Sequence, residues 1–171
     1  LWRRDRPAPL AAARAVRMSG FAELVAATSF SFLRGASHPA DMVARAIELG
    51  LAGIGIADVN SVAGVVRAHV ALREAQAQAR AATGRDLPFR LAVGARLAFA
   101  DGTPDIIAYP SDRAAWGRLT RLLTLGNRRV PKGACHLELA DLLDHAEGLL
   151  LIAMAEGVDR PALMRLAHVA P

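Results

Sequence analysis

Seven consecutive residues, Leu51-Ala52-Gly53-Ile54-Gly55-Ile56-Ala57, carry no polar side chain, and the run stops at Asp58-Val59-Asn60-Ser61. A strand that is apolar on both faces must be covered on both, as a parallel strand inside an α/β layer is. The preceding residues fit that reading. Glu23-Leu24-Val25-Ala26-Ala27 reads as a first strand that empties into the small-residue loop Thr28-Ser29-Phe30-Ser31-Phe32-Leu33-Arg34-Gly35. Pro39 suits a first helical turn, Asp41 complements the helix dipole there, and Met42, Val43, Ala46 and Ile47 fall on one helical face. Gly50 closes the end. Phe21 to Ser61 is therefore a βαβ unit whose two strand ends lie side by side. In such architectures chemistry collects at the C-terminal strand ends, here Val25 to Arg34 and Ala57 to Ser61.

Ser61 is expected to cap a long helix through Val62, Val65, Val66, His69, Val70 and Leu72 to about Ala82, ended by Thr83-Gly84. Gly64 in its first turn suits either an approaching anion or close helix–strand packing, the commoner reason. Phe89 to Phe99 reads as a strand, Asp101-Gly102 as a hairpin turn, and Asp105 to Tyr109 as the partner strand, stopped by Pro110. Ser111-Asp112 caps a helix whose stripe is Trp116, Leu119, Leu122 and Leu123, with Gly126 at its end. Leu139 to His145 is a short helix and Gly148 to Met154 a buried strand. Pro161 to His168 is a helix after the turn at Gly157-Val158-Asp159. The alternation implies an α/β layer or barrel, mostly parallel with one hairpin.

With 171 residues, 53% of them apolar, the chain can bury one core. Its longest uncharged stretch, Leu24 to Leu33, is roughly half of a bilayer crossing, so no membrane is expected as a partner. Cys135 is the only cysteine, which excludes an intrachain disulfide and fits a reducing cytoplasm. The net charge of +5 invites a nucleic-acid reading, but Leu1 to Arg17 holds five Arg and one Asp, so the remainder carries only +1. With 20 Arg and one Lys, Lys132, arginine-biased coding explains the high isoelectric point at least as well as a phosphate-binding surface does. The best local basic cluster is Arg128, Arg129 and Lys132, in a polar loop from Asn127 to Cys135. A solvated loop is the default there and a phosphate or partner contact the minority reading. His69 reads as a helix-surface histidine, and Cys135-His136 as adjacent residues that point apart rather than as a metal pair.

The phrases Phe21-Ala22-Glu23-Leu24, Phe30-Ser31-Phe32-Leu33, Gly35-Ala36-Ser37-His38-Pro39 and Leu49-Gly50-Leu51 leading to Asp58 resemble the start of the PHP domain (polymerase and histidinol phosphatase). They look like the PHP domain that opens bacterial C-family DNA polymerases. Val93-Gly94-Ala95-Arg96-Leu97, Ala108-Tyr109-Pro110-Ser111-Asp112-Arg113, Leu119 to Gly126 and Cys135-His136-Leu137 look most like the error-prone, damage-tolerant branch. The resemblance covers Met18 to about Val158. It implies a partial, distorted TIM-like (β/α) barrel, with residues 18–171 an incomplete PHP domain. Leu1 to Arg17 has the composition of an organellar presequence, a basic arm or an extension upstream of the start. Because Met18-Ser19-Gly20 looks like an initiation sequence, the extension is favoured, loose or adventitiously helical.

The resemblance also implies where a metal would sit, and there the sequence departs from the pattern. The family's His-x-His falls on Val25 and Ala27, its Asp-His on Asp58-Val59, and the Glu after Val-Gly-Ala on Arg96. Its remaining ligands would lie beyond Pro171 or fall on Pro104. Divalent cations need several converging O or N ligands, so the pocket of Val25, Ala27, Arg34, Asp58, Val59 and Arg96 is expected to be degenerate, with no metal and no catalytic residue. Two pictures of Asp58 stay open. In one it pairs with Arg34 or Arg96 while Val25, Ala27 and Val59 fill the former ligand space. In the other it caps the helix near Ser61 and both arginines face solvent.

The resemblance implies a non-catalytic structural module of a polymerase active in DNA replication and translesion synthesis. Magnesium would be needed only by a downstream polymerase domain. The implied partners are the rest of the polymerase chain, DNA through it, and other damage-tolerance proteins. The rivals are a metal-dependent phosphoesterase or 3′–5′ exonuclease with unrecognised ligands, and a decayed gene fragment. An incomplete barrel leaves an open edge, so the isolated chain is expected to be poorly soluble or oligomeric.

Overall fold

The computed structural model describes residues 20–154, with Met164. The leader Leu1 to Arg17 and the expected helix Pro161 to His168 lie outside the described residues, Met164 apart.

The βαβ unit forms where the sequence places it. Strand β1 is Ala22–Ala26, helix α1 is Pro39–Glu48 and strand β2 is Gly53–Val59. α1 ends in a Schellman arrangement: Gly50 adopts φ 71°, its N–H donates to the Ile47 carbonyl, and the Leu51 N–H donates to that of Ala46. β1 and β2 pair in parallel, with an irregularity between Glu23 and Ala26. Helix α2 spans Val65–Thr83 and ends on left-handed Gly84. It leads to strand β3, Arg90–Leu97, parallel to β2 along its whole length.

α2 starts four residues after Ser61. Its N-cap is Gly64, and the Ser61 hydroxyl instead accepts from the Ala63 N–H, 3.2 Å away, in a local turn. The strand after β3 is β4, Ile106–Pro110, paired antiparallel to β3 with Leu97 opposite Ile106. The residues between them are therefore a loop rather than a tight hairpin. Asp101-Gly102 makes a turn inside it, with the Asp101 carboxylate accepting from the Thr103 N–H. Helix α3 is Arg113–Arg128, capped by Asp112, whose Oδ1 accepts from the Ala115 N–H at 2.7 Å. It runs through Gly126, whose lack of a side chain admits Cys135 and Leu137; closeness, not helix termination, is what that glycine supplies. Helix α4, Leu139–His145, and strand β5, Leu149–Ala153, complete the described chain.

The sheet order is β1-β2-β3-β4-β5, and β4 is antiparallel to both its neighbours, so the fold is a curled five-stranded half-barrel of α/β type. Helices cover one face. Ala26, Ile54 and Ile56 pack against Val43, Ala46 and Ile47 of α1 and Ala68 and Leu72 of α2. Ala95, Leu97, Ile106 and Ala108 pack against Leu119, Leu122 and Leu142 of α3 and α4. The opposite, hollow face holds Ala57, Ile107 and Tyr109. Tyr109 crosses that hollow to donate its hydroxyl to the Leu24 carbonyl at 2.7 Å. Gly55 and Gly94 make the crossing feasible, since a Cβ on either would collide with the tyrosine. Burial and the nearby Glu23 charge push the Tyr109 hydroxyl well above its usual pKa, so it stays a donor.

Candidate functional site

At the end of β2, Asp58 is 1% exposed and shares the helix-facing side of the strand with Ile54 and Ile56. The β1–α1 loop folds over it. Oδ1 accepts from the Thr28 N–H at 2.7 Å and the Ser31 hydroxyl at 2.6 Å, and Oδ2 accepts from the Thr28 hydroxyl at 2.8 Å. The Ser31 oxygen in turn accepts from the Val59 N–H, and the Ser31 carbonyl accepts from the N–H groups of Arg34 and Gly35. Thr28 and Ser31 are themselves buried. Gly35 is required because any side chain would strike the Thr28 and Ala27 carbonyl oxygens. A Cβ on Gly64 would lie 2.8 Å from Asp58 Oδ2, so that glycine serves close packing, and the anion beside the α2 N-terminus is the chain's own.

Neither sequence picture of Asp58 holds. Arg34 and Arg96 both bind Asp105 Oδ2, through Nη1 at 3.3 Å and Nε at 2.6 Å respectively. Asp58 caps no helix: the N-cap of α2 is Gly64, with no side chain capping it, and Asp58 accepts from Thr28 and Ser31 instead. The reason is the pleat. Asp58 is opposite Ala95, and Arg96 is opposite Val59, so Arg96 belongs to the other face of the sheet. The buried carboxylate is satisfied by neutral donors instead. Val25 also departs from expectation. It is 42% exposed rather than filling ligand space, at the β1 irregularity where the Glu23 carboxylate accepts the Val25 N–H. Ala27 and Val59 are half-buried.

A metal does not fit these residues. Both Asp58 oxygens are taken by hydrogen-bond donors, the strand-end positions are apolar or cationic, and no group of three His, Cys, Asp or Glu stands together among the described residues. Of the other histidines considered, His69 is exposed, and His136 Nε2 lies 3.3 Å from Glu138.

The basic cluster does not act as a unit. Arg129 caps the end of α3 and binds Asp141 through both terminal nitrogens, at 2.5 and 2.8 Å, while Asp141 also accepts from the Glu138 N–H at the start of α4. The Arg129 hydrogen bond, set against partial desolvation, holds the Asp141 carboxyl below its ordinary pKa of 3.8. Arg129 thus joins α3 to α4. Arg128 and Lys132 are exposed and have no ion pair among the described residues.

Thr28, Ser31 and Asp105 organise this end of the sheet, and none stood out in the sequence as a site residue. A threonine and a serine three residues apart, in a loop facing a buried strand-end carboxylate, were the available signal for the first two.

The match to the PHP domain family runs over residues 23–169, and the chain belongs to that family. It is 47% identical over 159 residues to the error-prone DNA polymerase of Brucella abortus, covering 90% of this chain and 14% of that one. It is 56% identical over 141 residues to error-prone DNA polymerase 1 of Rhizobium meliloti, covering 82% of this chain and 12% of that one. The chain thus spans about one-seventh of the relatives it matches. Among solved structures, an amidohydrolase from Chromobacterium violaceum has the same fold at a TM-score of 0.50 and 16% identity, covering 86% of this chain and 72% of that one. No helix among the described residues is long and apolar enough to cross a membrane.

Proposed function

We propose that the chain is the PHP portion of an error-prone DNA polymerase and serves it as a non-catalytic structural and interaction module in damage-tolerant synthesis. One observation carries this reading. The carboxylate that would be left to a metal is fully engaged by Thr28 and Ser31, while Val25, Ala27, Val59 and Arg96 offer no ligand. The loop that a metal would otherwise organise is held by those hydrogen bonds. The partners are then the rest of the polymerase chain, DNA through it, and other damage-tolerance proteins, with magnesium confined to a downstream nucleotidyl-transfer site.

The test is elemental analysis of the purified chain, with assays on a chromogenic phosphomonoester and on 3′-mismatched DNA. Substoichiometric zinc and manganese with no hydrolysis is expected. Stoichiometric metal that supports hydrolysis would overturn the reading in favour of a phosphoesterase or exonuclease.

A further inference from the structure

Charge is spread unevenly over the helices. Asp112 to Lys132, which spans α3 and the turn after it, holds six basic residues and one acid, whereas Glu138 to Glu147, which spans α4, holds four acids and no Arg or Lys. The flank of α3 that meets α4 is neutralised, because Arg118 pairs with Glu147 and Arg129 with Asp141. Arg113, Arg121 and Arg128 are exposed and make no ion pair among the described residues. At about 100° per residue these three fall within an arc of about 80°, on a row about 22 Å long. Between them stand Gly117, Thr120, Thr124 and Asn127, none of them acidic or large.

Gly117 points outward from the molecule. A glycine inside a helix weakens it relative to alanine. Gly126, in the same helix, makes room for Cys135 and Leu137, but a Cβ at Gly117 would meet nothing within 4 Å. No neighbour among the described residues accounts for it, which leaves close approach from outside.

The chemistry of the face selects the partner. Protein interfaces centre on large apolar or aromatic anchors, and α3 has no exposed large hydrophobic residue; Trp116 is half-buried. Single strands are held by stacking on exposed aromatic rings, which this face lacks as well. A straight row of guanidinium groups, with small residues that let a backbone come close, suits the regularly spaced phosphates of a duplex.

We infer that the outer face of α3, through Arg113, Arg121 and Arg128, lies along the phosphate backbone of duplex DNA. The module reading brings DNA to this chain only through the rest of the polymerase, so this contact goes beyond it, and its failure would leave that reading untouched.

Fluorescence anisotropy of the full chain with a labelled blunt duplex tests it, at several chloride concentrations, with the corresponding single strand and poly-glutamate of matched charge as competitors. The duplex should bind more tightly than either competitor, with an affinity that falls as chloride rises. Arg121→Gln and Arg128→Gln should each weaken binding about three- to tenfold and lower the slope of log affinity against log chloride by about one. Arg80→Gln, which removes an exposed arginine of α2 already paired with Asp86, should leave binding unchanged. Gly117→Leu should weaken binding without lowering the melting temperature, which separates lost approach from lost folding. The five arginines of Leu1 to Arg17 are present in every variant, so their contribution cancels. An affinity indifferent to the combined Arg121→Gln and Arg128→Gln change, preference for the single strand, or equal competition by poly-glutamate overturns the proposal.

Discussion

Asp58 and Asp105 stand at the same end of the same sheet and solve opposite problems. Asp58 is buried, makes no ion pair among the described residues, and is held by one amide and two hydroxyls. Asp105 is partly exposed, and two arginines compete for one of its oxygens. Desolvation explains the difference. A buried charge needs close, well-aimed donors, which short Thr and Ser side chains supply without bringing a second charge out of water. At the half-wet mouth a long guanidinium keeps part of its hydration, and the pairing contributes modestly.

The comparison breaks most readily at Asp58. Asp58→Ala strands three buried donors and should cost about 3 kcal/mol, a large share of a domain's stability, read by urea unfolding. If the loss matched that of Asp105→Ala, the hydrogen-bonded role of Asp58 would be wrong. Gly64→Ala should come next, at about 1–3 kcal/mol, because the methyl group meets Asp58 Oδ2, the Pro39 ring and the Thr28 hydroxyl. A neutral result would mean that α2 can shift away freely.

Asp141 combines both solutions, an arginine and a backbone amide, and sharpens the contrast through pH. Its folded carboxyl lies below 3.8, so its contribution is present above the unfolded pKa and is lost as pH falls through the lower, folded value. Asp101 behaves alike: burial opposes ionisation, but the N–H groups of Leu139 and Thr103 outweigh it. Melting curves between pH 5 and about 2 should therefore fall less steeply for Arg129→Gln than for the wild type. Equal slopes would remove Arg129 as the cause. The smallest effect is expected for Asp105→Asn, about 0–1 kcal/mol, because the partners are partly exposed.

Much of the framework is legible in the sequence. Continuous apolar runs mark β2 and β5, although β5 is not the buried strand expected, since only Leu149 is buried and Leu150 is exposed; Pro39 with Gly50, and Asp112, mark helix boundaries. The α4 limits follow from the apolar pattern between Glu138 and His145. Errors came where local signals were read without their surroundings. Ser61 looked like a cap, but its hydroxyl serves a turn three residues before the true N-cap. Gly126 looked like a stop, and is a gap for Cys135 and Leu137. Arg96 parts from Asp58 only once the β2–β3 register, with Asp58 opposite Ala95, is combined with strand alternation. Asp105 required knowing that β3 and β4 are antiparallel, since only then does the start of β4 meet the ends of the other strands.

The Tyr109 hydroxyl has a consequence for the order in which the sheet comes apart. β1 has β2 as its one strand neighbour among the described residues, and the pairing is irregular. The tyrosine bond to Leu24 joins β1 directly to β4, past the two strands between them, like a chord drawn across an arc. Loss of β1 from β2 must therefore break a bond to the antiparallel part of the sheet as well, so the weakest margin shares the fate of a stronger region rather than fraying alone. One side chain, lodged over two glycines, makes the curvature of the sheet a cooperative property.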